Sequence, residues 1–514
     1  MPSFTVKVKW GKELFKDVEL NTDEEPVVFR AQLFALTGVQ PDRQKIMLKG
    51  MTLKPDSWDN VKLKDGITLL MMGSKEEDIA QVPAERTKFV EDMTDSELAT
   101  ALEMPAGLTN LGNTCYMNAT VQCLKSVPEL AEGLKQFKSN YGAEGGYAQA
   151  VTSALRDLYS SMENVASVPP IIMLNVLHTA FPRFAERGEQ GGFQQQDANE
   201  CWTELVRMLQ EKLKPRQEQG PDGQMVPSKY GSLIDQYFGG VFSSELKCVE
   251  SDEEPVTRST EKFLQLSCFI SQDVKYLHTG LKLRLQEQLT KRSALLDRDA
   301  AYSKTSRISR LPAYLTVQLV RFFYKEKEGV NAKILKDVKF PMLLDVYELC
   351  SEELQQKLLP MRTHFKAWED LKAEEARVPA NKAATAPADK KEEVACVPFS
   401  FEDDMGSNNS GFYELQAVLT HQGRSSSSGH YVGWVKLATG WVKFDDDTVT
   451  PVEEADILKL SGGGDWHCAY VLLYGPRRLP VEALEKVKAA AAAAATSAAA
   501  TAAPSGDSGE KMEQ

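Results

Sequence analysis

Residues 107–118 read Gly107-Leu108-Thr109-Asn110-Leu111-Gly112-Asn113-Thr114-Cys115-Tyr116-Met117-Asn118, and the larger part of the fold turns on them. Beyond Cys115, Met117, Val121 and Leu124 recur at the spacing of one helix face, so a helix starts at or near the cysteine. The Gly- and Asn-containing run before it reads as a turn, with Asn113 and Thr114 as candidate N-caps. A thiol at a helix N-terminus faces the positive end of the macrodipole and unpaired N–H groups, and both favour the nucleophilic thiolate. Those N–H groups, with an upstream amide such as Asn110, can hold a developing oxyanion. A small buried cysteine at a helix start would look the same in this segment alone, so the reading needs partners.

Partners stand more than 300 residues later, in Leu419-Thr420-His421-Gln422-Gly423-Arg424-Ser425-Ser426-Ser427-Ser428-Gly429-His430-Tyr431-Val432-Gly433-Trp434-Val435. An apolar strand, a flexible Gly/Ser loop and a second strand opening at Gly429-His430-Tyr431 put His430 at a loop–strand junction. A base reaches across a cleft from such a place. The next strand, Trp441-Val442-Lys443-Phe444, runs into Asp445-Asp446-Asp447. A carboxylate there can orient and stabilise the imidazolium, although three Asp in a row also fit a solvated turn. His421 is the competing base, but it lies within a strand-like run and reads as a packed core histidine. Cys, His and Asp in this order, with papain-like logic, describe a cysteine hydrolase.

The remaining composition narrows the class. A length of 514 residues implies about two to four domains. Sixty Lys and Arg against 73 Asp and Glu leave a net charge of −13, which argues against nucleic acid or an anionic membrane as partner. Met1–Gly11 alternates apolar and polar residues rather than forming a secretory leader. The longest strongly apolar run, Ile67–Met72, is far short of the ~20 residues of a spanning helix. None of the eight cysteines is paired as C-x-x-C, against a disulfide framework and against a zinc knuckle. A soluble chain with reduced thiols, in the cytoplasm and open to the nucleus as well, is the expectation.

Upstream, residues 1–75 read as a small β-rich unit. Phe4, Val6, Val8 and Trp10 alternate on one strand, Gly11-Lys12 turns, and Val18 to Leu20 return. Phe29, Leu33 and Leu36 then mark a short helix closed by Gly38, before strands at Lys45–Leu48 and Ile67–Met72. That is the order of a β-grasp. The stretch Gln40-Pro41-Asp42-Arg43-Gln44-Lys45-Ile46-Met47-Leu48-Lys49-Gly50 resembles the matching part of ubiquitin. The end, Met71-Met72-Gly73-Ser74-Lys75, lacks a terminal Gly-Gly, so the domain is expected to dock rather than be conjugated. Met47 and Leu70, with Met72, would form its apolar docking patch, or simply fill out a small domain.

The wording of the two chemical segments closely resembles the Cys and His boxes of ubiquitin-specific proteases. Gln195-Gln196-Asp197-Ala198-Asn199-Glu200-Cys201 and Ala469-Tyr470-Val471-Leu472-Leu473-Tyr474 are similar to that family's intermediate and closing boxes. The resemblance covers about 105–475. It implies an α+β chain: a β-grasp ubiquitin-like domain followed by a papain-like cysteine protease core with thumb, palm and fingers. It also implies Cys115 as nucleophile, His430 as general base and acid, Asp445 as the residue orienting that histidine, and Asn110 in the oxyanion hole. Gln196, Asp197 and Tyr431 would contact the ubiquitin tail, although Asp197 equally suits a helix cap with Trp202, Leu205 and Leu209 packing behind it. Many members hold zinc on two C-x-x-C pairs in the fingers. Here the stretch around Cys248-Val249-Glu250-Ser251 and Cys268 lacks them, so no metal and no cofactor are expected and packing must hold the fingers.

The expected organisation is therefore 1–75 ubiquitin-like, 76–104 linker with a short helical signal near Thr94–Leu102, 105–478 catalytic, and 479–514 a disordered Ala-rich tail. Polar inserts fall near 212–229 and 366–391, the second expected to be disordered. The implied activity is deubiquitination of conjugates by isopeptide cleavage at ubiquitin's C-terminal glycine. With a ubiquitin-like domain in front, the chain resembles the proteasome-associated members of the family, which implies docking on the 26S proteasome regulatory particle. The loop Gln422–Gly429 would partly occlude the cleft until a partner moves it. The rival is a non-catalytic ubiquitin adaptor bridging conjugates to the proteasome, which a degraded triad would favour.

Overall fold

A computed structural model gives the architecture. It describes residues 3–54, 57–58, 61–74, 104–138, 146–163, 165–188, 191–219, 225–325, 330–377, 395–425, 428–464 and 466–501. The expected linker, but for residue 104, lies outside the described residues, as does 378–391 of the second insert. The chain divides into two compact units, Met1–Met93 and Thr94–Gln514. Among the described residues no helix is long and apolar enough to cross a membrane.

In the first unit Ser3–Trp10 and Glu13–Asn21 form a hairpin, and Thr68–Met72 runs parallel beside the first strand. Lys45–Leu48 and Met51–Thr52 continue the sheet on the far side of Thr68–Met72. Because a strand repeats every two residues, Val6, Val8, Val18, Leu20, Leu69 and Met71 all reach one buried face. Helix Pro26–Thr37 starts on proline and closes at Gly38, whose φ of 73° lets its N–H return to the Phe34 carbonyl. Phe29 and Leu33 cover the sheet, but the third expected position is corrected: Leu36 is exposed and Thr37 is buried. Burial of Thr37 is cheap because its hydroxyl donates to the Leu33 carbonyl at 2.6 Å. Leu70 stands directly opposite Met47 across the strand pair, the first exposed and the second half-buried.

The second unit combines helices with two larger sheets. Cys115–Lys125 is buried on every side from Cys115 to Leu124, as a helix inside a core must be. Met117, Val121 and Leu124 pack in one cluster with Tyr431, Val435, Val442 and Phe444 of the sheet. Ala198–Lys212 adds Trp202, Leu205 and Leu209 to the same cluster. The eight-stranded sheet runs Leu266–Phe269, Leu315–Val320, Cys468–Pro476, Phe412–Ser425, Ser428–Leu437, Gly440–Asp445, Thr448–Val452, with Leu343–Asp345 paired on Phe412–Ser425. It is the strand trio Phe412–Ser425, Ser428–Leu437 and Gly440–Asp445 that brings His430 and the Asp run beside the Cys115 helix.

A separate antiparallel sheet runs Thr257–Phe263, Gly240–Cys248, Arg298–Arg310, Gln286–Ser293. Cys248, Ala300 and Tyr302 are buried there with Leu246, Leu289 and Leu296 packed against them. Glu254 accepts from the Tyr302 hydroxyl at 2.6 Å and the Ser293 hydroxyl at 2.7 Å, so this carboxylate is already engaged.

Three sequence expectations are corrected. The insert expected disordered from 366 is helical up to Arg377, within Glu352–Arg377, since its Ala, Glu, Lys and Leu are strong helix formers and Phe365 is buried. The tail, expected to be disordered beyond a charged helical stub, stays helical through the alanines as Val481–Thr501, anchored where Leu479 and Ala483 pack on Phe365, and 502–514 lies outside the described residues. The loop expected over Gln422–Gly429 is the end of a β-hairpin, paired as far as Ser425↔Ser428 with a bulge after Gln422. The first insert, 212–229, holds a two-residue pairing of Glu218–Gln219 with Met225–Val226.

Candidate active site

The turn before Cys115 is built by side chains. Asn110 Oδ1 accepts from the N–H groups of Gly112 at 2.9 Å and Thr114 at 3.3 Å, and Thr114 Oγ1 accepts from Leu111 N–H at 2.9 Å. Asn113 takes a left-handed φ of 53°, and the chain emerges at Cys115 as the first helical residue. The cysteine is 2% exposed. Two N–H groups are aimed at its sulfur, from Gln195 Nε2 at 3.2 Å and the Tyr431 backbone at 3.4 Å. Both are placed to solvate negative charge that forms there.

His430 Nε2 lies 2.6 Å from Asp445 Oδ1. The hydrogen bond to Asp445, and then one to Cys115, outweigh desolvation and raise the imidazole to about 10. The imidazolium in turn holds the Asp445 carboxyl well below the usual range, against desolvation and with help from Lys443, whose Nζ stands 2.7 Å from Oδ2. The sign of the pH dependence follows. A group raised from 6.5 to about 10 stabilises the fold fully below pH 6.5 and loses that contribution as pH rises through 10. The melting-temperature advantage of wild type over His430→Ala should therefore shrink steadily between pH 6.5 and 10. A gap that stays constant in a scanning-fluorimetry series would contradict the raised imidazole.

Asp446 points the other way. It takes a φ of 54° and accepts from Asn110 Nδ2 and Asn118 Nδ2, each at 2.8 Å. Its backbone carbonyl accepts from Leu108 N–H at 2.8 Å, and Gly107 lies so close to Asp447 that a Cβ would stand 2.6 Å from its carbonyl oxygen. The Asp turn and the segment ahead of Cys115 are thus locked together. An amide nitrogen carries two hydrogens, so Asn110 spends one on Asp446 and has a second to donate. Burial pushes the Asp446 carboxyl up, with the two amides opposing. Ligand atoms of His430, Asp445 and Asp446 lie within 4.8 Å of one another. Each carboxylate is already engaged, Asp445 by His430 and Lys443 and Asp446 by the two amides, so the donor set does not suit a metal.

The remaining expected residues fall differently. Gln195 reaches the thiol, and Gln196, expected as a tail contact, follows it in the chain and is half-buried. Asp197 caps Ala198–Lys212, accepting from Asn199 N–H at 2.7 Å and Glu200 N–H at 3.1 Å. It also accepts from the Tyr470 hydroxyl at 2.8 Å, and burial nonetheless pushes its carboxyl up. Tyr431 is corrected as a surface contact: its ring is fully buried against His421, and what it offers the site is its backbone N–H. His421 is fully buried, its Nε2 3.1 Å from the Ser428 carbonyl, and burial first, then Lys333, lowers it to about 3. It stays neutral, and among the described residues no carboxylate is bonded to it. Sequence reasoning missed Gln195 and Asp446 as site residues, although both stand inside segments it had singled out.

The profile of the ubiquitin carboxyl-terminal hydrolase family matches residues 106–474. The chain belongs to that family. Similar to this ubiquitin carboxyl-terminal hydrolase are ubiquitin carboxyl-terminal hydrolase 6 of Arabidopsis thaliana, 42% identical over 92% of this chain and 99% of that protein, and ubiquitin carboxyl-terminal hydrolase 14 of Caenorhabditis elegans, 42% identical over 92% and 93%. Among solved structures, the SAGA Ubp8/Sgf11/Sus1/Sgf73 module bound to ubiquitin aldehyde matches with a TM-score of 0.49 and 20% identity, over 73% of this chain and 70% of that one. The chain is thus a deubiquitinating hydrolase of the cysteine peptidase type, with ubiquitin as its substrate.

Proposed function

We propose that this hydrolase cleaves the isopeptide bond at the C-terminal glycine of ubiquitin on conjugates, with Cys115, His430, Asp445 and Asn110 in the roles their positions suit. Cys115 attacks the glycine carbonyl as a thiolate, its proton resting on His430, whose raised imidazole holds it as the imidazolium. The collapsing intermediate breaks the C–N bond, and His430 gives that proton to the leaving lysine amine. Water, deprotonated by His430, then hydrolyses the thioester and releases the free carboxylate and thiol. Asp445 orients the imidazole, and Asn110 with N–H groups at the helix start donates to the oxyanion. The observation that carries the reading is His430 bonded to Asp445 at 2.6 Å, with the Cys115 thiol near enough to help raise the same imidazole. An adaptor has no need of that arrangement. In this reading the helical lobe, the eight-stranded sheet and the four-stranded sheet are thumb, palm and fingers of a papain-like core.

The first unit is read as a ubiquitin-like β-grasp that docks on the 26S proteasome regulatory particle, with the exposed Leu70 and its neighbour Met47 in the patch. Its proposed setting is the cytoplasm, with the nucleus as a second, which suits eight free cysteines. A single experiment addresses enzyme and docking together: labelling by a ubiquitin C-terminal electrophile, with and without purified proteasome, for the full chain and for a chain lacking 1–75. Labelling that rises with proteasome and loses the rise on deletion supports both. Ubiquitin binding without any labelling would hand the argument to the adaptor.

A further inference from the structure

We propose that Lys443 is a positioning residue of this protease, its ammonium holding Asp445 Oδ2 so that Oδ1 stays on His430. The inference rests on the reading of Asp445 as the carboxylate that orients the base. Lys443 and Asp445 are two residues apart on Gly440–Asp445, hence on one face of the strand, while Phe444 between them is buried. In register, Lys443 pairs with Trp434 on one side and Thr450 on the other. Its Nζ lies 5.7 Å above the Trp434 ring and 2.7 Å from Asp445 Oδ2. The ammonium is therefore fixed by an aromatic face below and a carboxylate beside it.

The tryptophan is itself fixed. Its Nε1 donates to Thr420 Oγ1 at 2.9 Å, and its ring meets His467 edge-on at 6.3 Å. The charged and titratable groups facing the pair are His430 on the neighbouring strand, Asp446 in the turn and His467 ahead of the last strand, and Lys333 acts on His467 behind them. His467, 6.4 Å from the His430 ring, is kept neutral by burial and by Lys443. No other cation is bonded to Asp445 among the described residues. In a pair this far buried, desolvation offsets much of the attraction, so its net contribution to stability is small. The consequence of Lys443 is direction: with Oδ2 occupied, the carboxylate cannot swing its whole charge toward water and leave the imidazole unsupported.

The test is kcat and KM for ubiquitin C-terminal aminocoumarin hydrolysis by the full chain, wild type against Lys443→Met, Lys443→Arg and Asp445→Asn, from pH 6 to 10.5. Active sites are titrated with the ubiquitin electrophile, so that misfolded protein does not count. Lys443→Met should lower kcat about tenfold with KM within about twofold, as loss of orientation does. Its alkaline limb should move down by about one pH unit, toward that of Asp445→Asn, because an imidazolium that has lost its carboxylate releases its proton sooner. Lys443→Arg should restore both. An unmoved limb overturns the proposal, and so does an upward one, the result if Lys443 merely repelled the imidazolium. Failure of the arginine to restore either quantity overturns it too. Wild-type turnover that Cys115→Ala abolishes stands apart from these outcomes, and its absence would sink the protease reading instead.

Discussion

Cys115→Ala loses all labelling by a ubiquitin C-terminal electrophile, and its hydrolysis of ubiquitin C-terminal amides falls by about 10⁴-fold or more, with ubiquitin binding kept. The size of the effect comes from the covalent step: without the sulfur there is no thioester, and water must attack the amide directly. The thiols nearest to it in sequence cannot stand in. Cys123 and Cys201 are the nearest in sequence on the same helical lobe, and both are fully buried. Burial pushes Cys123 up to about 12 and Cys201 higher still, so both remain protonated and poor nucleophiles at neutral pH. The substitution removes one atom from the start of a helix whose turn is held by Asn110 and Thr114, so the fold should survive. Label on the variant, located by mass spectrometry to another cysteine, would disprove the assignment.

Asn110→Ala should lower kcat by about 10²–10³ with KM little changed, the loss expected when one oxyanion donor is removed. The residue has two duties, since its Oδ1 shapes the turn and its Nδ2 is anchored on Asp446. Asp446→Asn separates them. The new side chain tolerates the φ of 54°, but an NH2 replaces one of the two oxygens that Asn110 and Asn118 donate to separately, so one of those amides loses its acceptor. Its kcat should drop about tenfold. In the double variant the Asp446 change should add almost nothing, because the two residues act through one donor. Additive losses would mean that Asp446 works on something other than Asn110, and a change confined to KM would place Asn110 in ground-state binding.

Two histidines show how far the residues alone could go. His421 and His430 are nine positions apart on either limb of one hairpin, and their local settings already differed: a run of apolar neighbours for one, a strand opening for the other. The structure separates them more fully, burying His421 against Phe322 and Tyr431 and leaving His430 half-exposed on Asp445. The run Asp445-Asp446-Asp447 was less legible, because three identical residues carry no internal signal of which one faces the imidazole. Helix Glu352–Arg377 was hidden by its low-complexity composition, although its residue types are those that favour helix.

By itself the sequence determined the kind of chemistry and the local elements that present it: a helix opening at Cys115, a strand opening at His430, a strand ending in carboxylates. Those follow from periodicity and turn residues, which act over a few positions. Only the tertiary structure decided which carboxylate does which task and which glutamine meets the sulfur. Strand direction keeps Asp445 on the face of His430, and one positive φ turns Asp446 onto Asn110. The contacts that matter join residues far apart, 316 positions from Tyr431 N–H to the Cys115 sulfur and 336 from Asn110 to Asp446. A one-residue change of register would redirect every one of these side chains, and register is set by the packing of the whole sheet against the Cys115 helix, not by any short stretch of chain.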